Sequence, residues 1–138
     1  MGKIFFGNHL EQALFQDNKD YVVVHSLDGF DEISLTADVQ YYSSRGEYIV
    51  SSEDFGMTTL TQESLFSGET LDEAIDIFLN VIKYKGSKSQ TDAVVANAAA
   101  GIQCFEKDKT LKECVAIANE TLASCKAEML LKNLIKQQ

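Results

Sequence analysis

The stretch Val22-Val-Val-His25-Ser-Leu-Asp28-Gly29-Phe30-Asp31-Glu32-Ile33-Ser34-Leu35-Thr36 decides how this chain is read. It opens as an apolar run, passes through a loop with three carboxylates in five residues, and ends in a short β-prone stretch. The opening run, 21–25, reads as a strand. Its lack of polar alternation predicts burial on both faces and a parallel neighbour. A buried strand that ends in acidic residues delivers them at a sheet end, where α/β proteins place ligand sites. Adjacent carboxylates in isolation are usually a solvated loop, but this position makes Asp31 and Glu32 candidates for holding a hard cation. Mg²⁺ fits, because it takes few protein oxygens and completes its shell with water and phosphate. Asp28 reads as structural, bonding loop amides beside Gly29. His25 reads as a histidine satisfied by the sheet edge, since no nucleophile or orienting carboxylate can be assigned to it.

Upstream, Leu10 to Phe15 reads as a short helix ended by the polar run 16–20, with His9 at the surface. Downstream, Val39–Ser43 and Tyr48–Ser51 flank Ser44-Arg45-Gly46-Glu47, which predicts a hairpin with Gly46 at positive φ. Glu53-Asp-Phe-Gly56 reads as a helical turn stopped by glycine. From Thr70 onward the pattern is helical. Thr70-Leu-Asp-Glu73 and Thr110-Leu-Lys-Glu113 are capping boxes. The first leads a face of Leu71, Ala74, Ile75, Phe78 and Ile82; the second leads Leu111, Cys114, Val115, Ala118, Leu122 and Cys125. Between them, a helix over 92–105 begins near a weaker box at Ser89–Asp92. Its apolar residues cover every face, which predicts burial all round. Asn97, alone and polar there, is expected to bond loop backbone near Asp31. Lys132, Lys136 and Glu128 read as a solvated helix end.

The elements expected here supply too little material to wrap that helix and no parallel partner for the strand. The chain therefore reads as part of a larger α/β domain, or as one that associates. In 138 residues there are no prolines, no repeats and no low-complexity linker, so residues 1–138 read as one partial domain. The net charge of −9 argues against nucleic acid, whose phosphates need clustered Lys and Arg. It leaves a phosphorylated ligand open, because a bound metal reverses the local sign. No apolar run is long enough for a membrane span, and the N-terminus lacks the pattern of a secretory leader. Met1-Gly2 is followed by Phe at position six, which disfavours myristoylation. The three cysteines, Cys104, Cys114 and Cys125, lack metal spacing and fall on apolar helical positions, as small buried hydrophobes do in a reducing cytoplasm.

Val24 to Thr36 resembles the D-G-x-D-E-I-S-L-T signature of anthranilate phosphoribosyltransferase. The likeness continues through Ser52-Glu53-Asp54-Phe55-Gly56, similar to that family's P-E-D-F-G segment, and Gly68-Glu-Thr-Leu-Asp-Glu-Ala74, which sits where its next helix begins. Lys85-Gly86 with Asp92-Ala-Val-Val-Ala-Asn97-Ala-Ala-Ala100 looks like its K-G … D-A-V-L-x-N-A-A-A segment. Thr110-Leu-Lys-Glu113-Cys with Ala118 and Ser124 resembles its ending. Five blocks in the family's order cover nearly the whole chain.

The resemblance implies the C-terminal portion of a nucleoside-phosphorylase-like α/β domain, with one buried strand, a hairpin and about four helices. It implies transfer of phosphoribosyl from phosphoribosyl pyrophosphate to anthranilate in tryptophan biosynthesis, with Mg²⁺ as cofactor and Asp31 and Glu32 as its ligands. No catalytic residue is assigned. Three family features have no counterpart here: the glycine-rich G-T-G-G-D loop, the K-H-G-N segment and the anthranilate-binding arginine. Arg45 in the hairpin turn is the only arginine. The family's helical dimerisation domain is also missing. The chain alone is therefore expected to be inactive. The alternatives are a non-catalytic binding or assembly protein, or one chain of a two-chain enzyme whose N-terminal chain completes the site; homo-oligomer formation is open.

Overall fold

A computed structural model describes residues 20–137. The helix expected at 10–15 and the placement of His9 lie outside the described residues. Three strands come first: β1 (Val22–Ser26), β2 (Val39–Ser43) and β3 (Gly46–Val50), followed by single 3₁₀ turns at Ser52–Phe55 and Gln62–Leu65. Four helices follow: α1 (Leu71–Ile82), α2 (Lys88–Phe105), α3 (Leu111–Ala123) and α4 (Lys126–Lys136). The expected architecture, one strand with a hairpin and four helices, is what forms.

The sheet order is β1-β2-β3 and both pairings are antiparallel. This corrects the parallel neighbour expected for 21–25. Among the described residues β1 is an edge strand, and Val22 to His25 are half-buried rather than sealed on both faces. Two partly covered faces leave no polar position in the strand, so the residue pattern equals that of a central parallel strand. The hairpin turns through Ser44-Arg45, with Ser43 opposite Gly46 and Gly46 at φ 137°. A side chain at Gly46 would meet that positive φ with strain and would touch the Tyr48 ring.

Register places Val24, Tyr41 and Tyr48 across one face, alongside Ser26, Val39 and Val50. That face meets α2 through Ala96, Ala99 and Ala100, whose small side chains allow close approach. Ile33, Leu35, Val39, Phe55 and Cys114 fill the rest of this core, each at most 2% exposed. Burial of each large member contributes about 1.5–3 kcal/mol. A smaller cluster of Val95, Ala118 and Leu122 joins α2 to α3.

The caps hold the helices largely as expected. Thr110 Oγ1 accepts from Glu113 N (3.3 Å), and Glu113 accepts from Thr110 N (2.8 Å), which closes a full box. At α1, Thr70 Oγ1 accepts from Glu73 N (3.2 Å), but the Glu73 carboxylate reaches back to Glu69 N (2.7 Å), so the box is only half made. The box at α2 is Ser87–Gln90, not Ser89–Asp92, and the helix starts four residues before Asp92. Gly56, at φ 71°, ends the Ser52–Phe55 turn as expected.

Two further expectations are corrected. Helix α2 is buried along Thr91, Val95, Ala96, Ala99 and Ala100 only; Val94, Ala98 and Gly101 face outward and Phe105 is 87% exposed. Alanine is small enough for either environment, so its distribution marks no face. An open apolar side on α2 fits the expectation of an incompletely wrapped helix. Cys125 is exposed at φ 58° in the break between α3 and α4, off the α3 stripe; Cys104 is half-buried and Cys114 buried, all three free thiols. No helix among the described residues is long and apolar enough to cross a membrane.

Candidate functional site

The loop from Leu27 to Asp38 leaves β1 and returns to β2, so its geometry is set by groups that replace a regular ladder. Gly29 N donates to Ser26 O and Ser26 N donates to Phe30 O, both at 2.9 Å, which folds the loop into a tight turn at the end of β1. Ser26 is fully buried, and its Oγ donates to the carbonyl of Glu32 at 2.6 Å. Ser34 N and Ser34 Oγ lie 3.4 and 3.3 Å from Ser26 Oγ. The Thr36 hydroxyl lies between Ser34 Oγ, at 2.8 Å, and the Asp28 carboxylate. Asp28 therefore bonds a loop hydroxyl, not the loop amides expected for it.

From the other side α2 supplies Asn97. Its Oδ1 accepts from Ile33 N at 3.0 Å and its Nδ2 donates to Ile33 O at 2.8 Å. Nδ2 also donates to Ala93 O within the helix. One side-chain amide thus satisfies both main-chain groups of the residue that follows Glu32, as expected from its position in an apolar helix. Leu35, two residues on, is 1% exposed and holds φ 62°. For a residue with a Cβ that conformation costs about 1–2 kcal/mol. Its burial and the bond from Leu60 N to its carbonyl (2.8 Å) offset the cost.

This frame presents Asp31 and Glu32 to solvent, both exposed. Their backbone is fixed from two sides while their carboxylates remain open, and carboxylate oxygens are the donors Mg²⁺ prefers. Among the described residues no group of three or more His, Cys, Asp or Glu side chains is placed to hold a metal. Two carboxylates alone would leave most of a cation's shell to water or a phosphate. His25, half-buried on β1 opposite Gln40, belongs to the sheet.

Glu32 also lines an open groove of about 540 Å³. Phe30, Phe66, Phe78 and Val94 give it apolar walls, and Asn97 also lines it. No local pattern announces this groove, because its walls come from four separate segments: the acidic loop, the Gln62–Leu65 turn with Phe66 and Ser67, α1 and α2. The hydroxyl relay of Ser26, Ser34 and Thr36 was written in the opening stretch but carries no distinctive spacing.

Residues 8–128 match the model of the glycosyl transferase family, a/b domain. An anthranilate phosphoribosyltransferase of Phocaeicola vulgatus is 44% identical over 116 residues, covering 84% of this chain and 35% of the relative. That of Bacteroides thetaiotaomicron is 38% identical over 123 residues, covering 88% of this chain and 37% of the relative. The structure of the Thermus thermophilus anthranilate phosphoribosyltransferase superposes with a TM-score of 0.82 at 29% identity, over 95% of this chain and 39% of that one. The Saccharomyces cerevisiae enzyme in complex with PRPP and Mg gives a TM-score of 0.84 at 16% identity, over 97% and 39% of the two chains, a likeness of fold. The chain thus spans little more than a third of the length of these relatives.

Proposed function

Because this chain belongs to the glycosyl transferase family and matches its α/β domain, we propose that it carries the metal-holding half of an anthranilate phosphoribosyltransferase site and is inactive alone. In the completed site the bond from ribose C1 to pyrophosphate breaks with its electron pair leaving on the pyrophosphate. The amine of anthranilate forms the new bond to C1 and loses a proton. The observation that carries this reading is the clamp on the acidic loop: Ser26 bonds the carbonyls of Phe30 and Glu32, and Asn97 bonds both main-chain groups of Ile33, which brackets the exposed Asp31–Glu32 pair. Asp31 and Glu32 would hold the ion, and Ser26 and Asn97 keep their backbone from turning away. Mg²⁺, when bound, neutralises charge that develops on the departing pyrophosphate.

Two requirements of the reaction are unmet by this chain's own residues. No glycine-rich loop offers backbone N–H groups to the pyrophosphate. The single arginine, Arg45, is committed to the carbonyls of Gln103 and Lys107 and so does not present its fork to a carboxylate. Positioning of both substrates therefore falls to another polypeptide segment. Cytoplasmic placement is part of the same reading and is supported by the three free thiols.

The test titrates the chain with Mn²⁺ and follows amide signals by NMR. Paramagnetic broadening should centre on Asp31 and Glu32, with weak affinity, and vanish in the Asp31→Asn, Glu32→Gln double variant. Broadening centred on Asp72, Glu73 and Asp76 instead would overturn the assignment. In parallel, the chain should show no phosphoribosyl transfer to anthranilate above background; turnover by the chain alone would overturn the account of the missing cradle.

A further inference from the structure

We infer that Thr36 is a positioning residue: its hydroxyl holds the Asp28 carboxylate off the cation site, so that of the loop's three carboxylates only Asp31 and Glu32 take the ion. The inference rests on the proposed metal role of that pair.

Asp28, Asp31 and Glu32 fall within five residues, and all three are exposed. Each offers the anionic oxygens that a hard cation takes, so chemistry alone does not rank them. Their partners do. Among the described residues the Asp31 and Glu32 side chains make no hydrogen bond or ion pair. The Asp28 carboxylate, by contrast, accepts from the Thr36 hydroxyl. No group of three metal-ligating side chains forms among the described residues, so Asp28 does not converge with its two neighbours.

Counting protons shows how firmly Thr36 is aimed. A hydroxyl donates one proton, whereas a carbonyl or an ionised carboxylate only accepts. The Ser26 proton goes to the Glu32 carbonyl at 2.6 Å, and the Thr36 proton goes to Asp28. The 2.8 Å contact between Ser34 Oγ and Thr36 Oγ1 must then be filled by the Ser34 proton. Ser26 Oγ accepts from Ser34 N at 3.4 Å, and Ser34 Oγ accepts from Thr36 N at 3.3 Å. Every hydroxyl of the chain thus both donates and accepts. A hydroxyl that receives a proton donates its own more strongly, and a charged acceptor adds to this. Ser34 is 3% exposed and Leu35 1%, so the residues that lead into Thr36 are held in the interior.

The consequence is for affinity. Two carboxylates leave most of a cation's positions to water or a phosphate. A third would tighten the ion and add negative charge where a phosphorylated ligand has to arrive. Thr36 keeps the loop at two.

The experiment measures Mn²⁺ affinity of the full chain by electron paramagnetic resonance of the free ion, and the side-chain carboxyl carbon signals by NMR as Mg²⁺ is added. Thr36→Val keeps the shape and removes the hydroxyl. It should raise Mn²⁺ affinity on the order of tenfold as Asp28 joins the ligands, and Thr36→Ser should restore the original value. Mg²⁺ should move the carboxyl signals of Asp31 and Glu32 alone in the unaltered chain, and that of Asp28 as well in Thr36→Val. Asp28→Asn should leave Mn²⁺ affinity within about twofold, because only a screened neighbouring charge is lost. Combined with Thr36→Val, it should cancel the gain. A folded Thr36→Val chain with no gain would overturn the inference. So would a tenfold or greater loss in Asp28→Asn, which is read without any change at Thr36. Mg²⁺ shifts at Asp31 and Glu32 without these effects would leave the metal assignment standing and remove this inference alone; no shift at either residue would remove both.

Discussion

The acidic loop and helix α1 border the same groove and are completed in opposite ways. The loop has no regular structure, yet its main chain is tied at Ser26, Phe30 and Glu32 from its own strand and at Ile33 from Asn97, 64 residues away in sequence. Among the described residues no buried side-chain nitrogen or oxygen lacks a partner. Helix α1 is regular and locally capped by Thr70, yet Leu71 is 77%, Ile75 45% and Phe78 52% exposed. Helix α4 repeats this, with Met129, Leu130, Leu134 and Ile135 each more than half exposed. Regularity reports satisfaction of the backbone by near neighbours; it says nothing about whether a side-chain face has found its cover. The irregular segment is satisfied, whereas the regular helices α1 and α4 keep open faces.

That contrast can be broken most sharply with two phenylalanines. Phe55 is 1% exposed in the core, and Phe55→Ala should cost about 3–5 kcal/mol in denaturant unfolding. Phe78→Ala, on the open face of α1, should cost less than about 0.5 kcal/mol in the same assay. Comparable losses would mean that the α1 face is covered in solution.

A middle effect is expected at the clasp. Asn97→Ala strands both main-chain groups of the buried Ile33 and should destabilise by about 2 kcal/mol. Amide exchange at Ile33 should quicken well beyond the global change. If exchange there merely follows global stability, the loop is held by its serines and Asn97 is ordinary packing.

The smallest effect is in alkaline solution. Burial pushes the Cys114 thiol up, with Lys109 opposing it, and burial with the Asp20 charge does the same for Cys104. Burial also pushes the Tyr41 hydroxyl far up, in a setting where it donates to Gln103. These are acids whose ionised form is disfavoured in the folded chain. Their contribution is therefore full below the unfolded values, about 8.5 for Cys and 10 for Tyr. It is lost as pH rises from those values through the folded ones. The thermal midpoint should be level with respect to these groups between pH 6 and 8 and fall progressively above about 8.5, less steeply in Cys114→Ala. A fall unaltered by that substitution would exclude the buried thiol as a contributor.

Much of this was legible in the residues. The strand, hairpin and glycine-stopped turn are written in local patterns, and so is the Thr110 box; each depends on a few adjacent residues. The place of Asn97 was legible because a lone amide in an apolar helix has to find a partner. The neighbour of β1 was not, because an unalternating valine run is common to sealed and half-covered strands. The partial burial of α2 is not legible, because alanine carries no facing preference. The hydroxyl relay that ends at Asp28 is not legible either, because serine and threonine are frequent in any loop, and only the fold brings Ser26, Ser34 and Thr36 together.

The Asn97–Ile33 clasp has a consequence for the order of events during synthesis. It closes a span of 64 residues, so the acidic loop cannot be locked when it leaves the ribosome. It must wait until α2 has emerged and docked. With no proline among the 138 residues, no slow prolyl isomerisation intervenes after that point. The segment made early is therefore among the last to take its final shape, and any chain ending before residue 97 would carry Asp31 and Glu32 without the support that aims them.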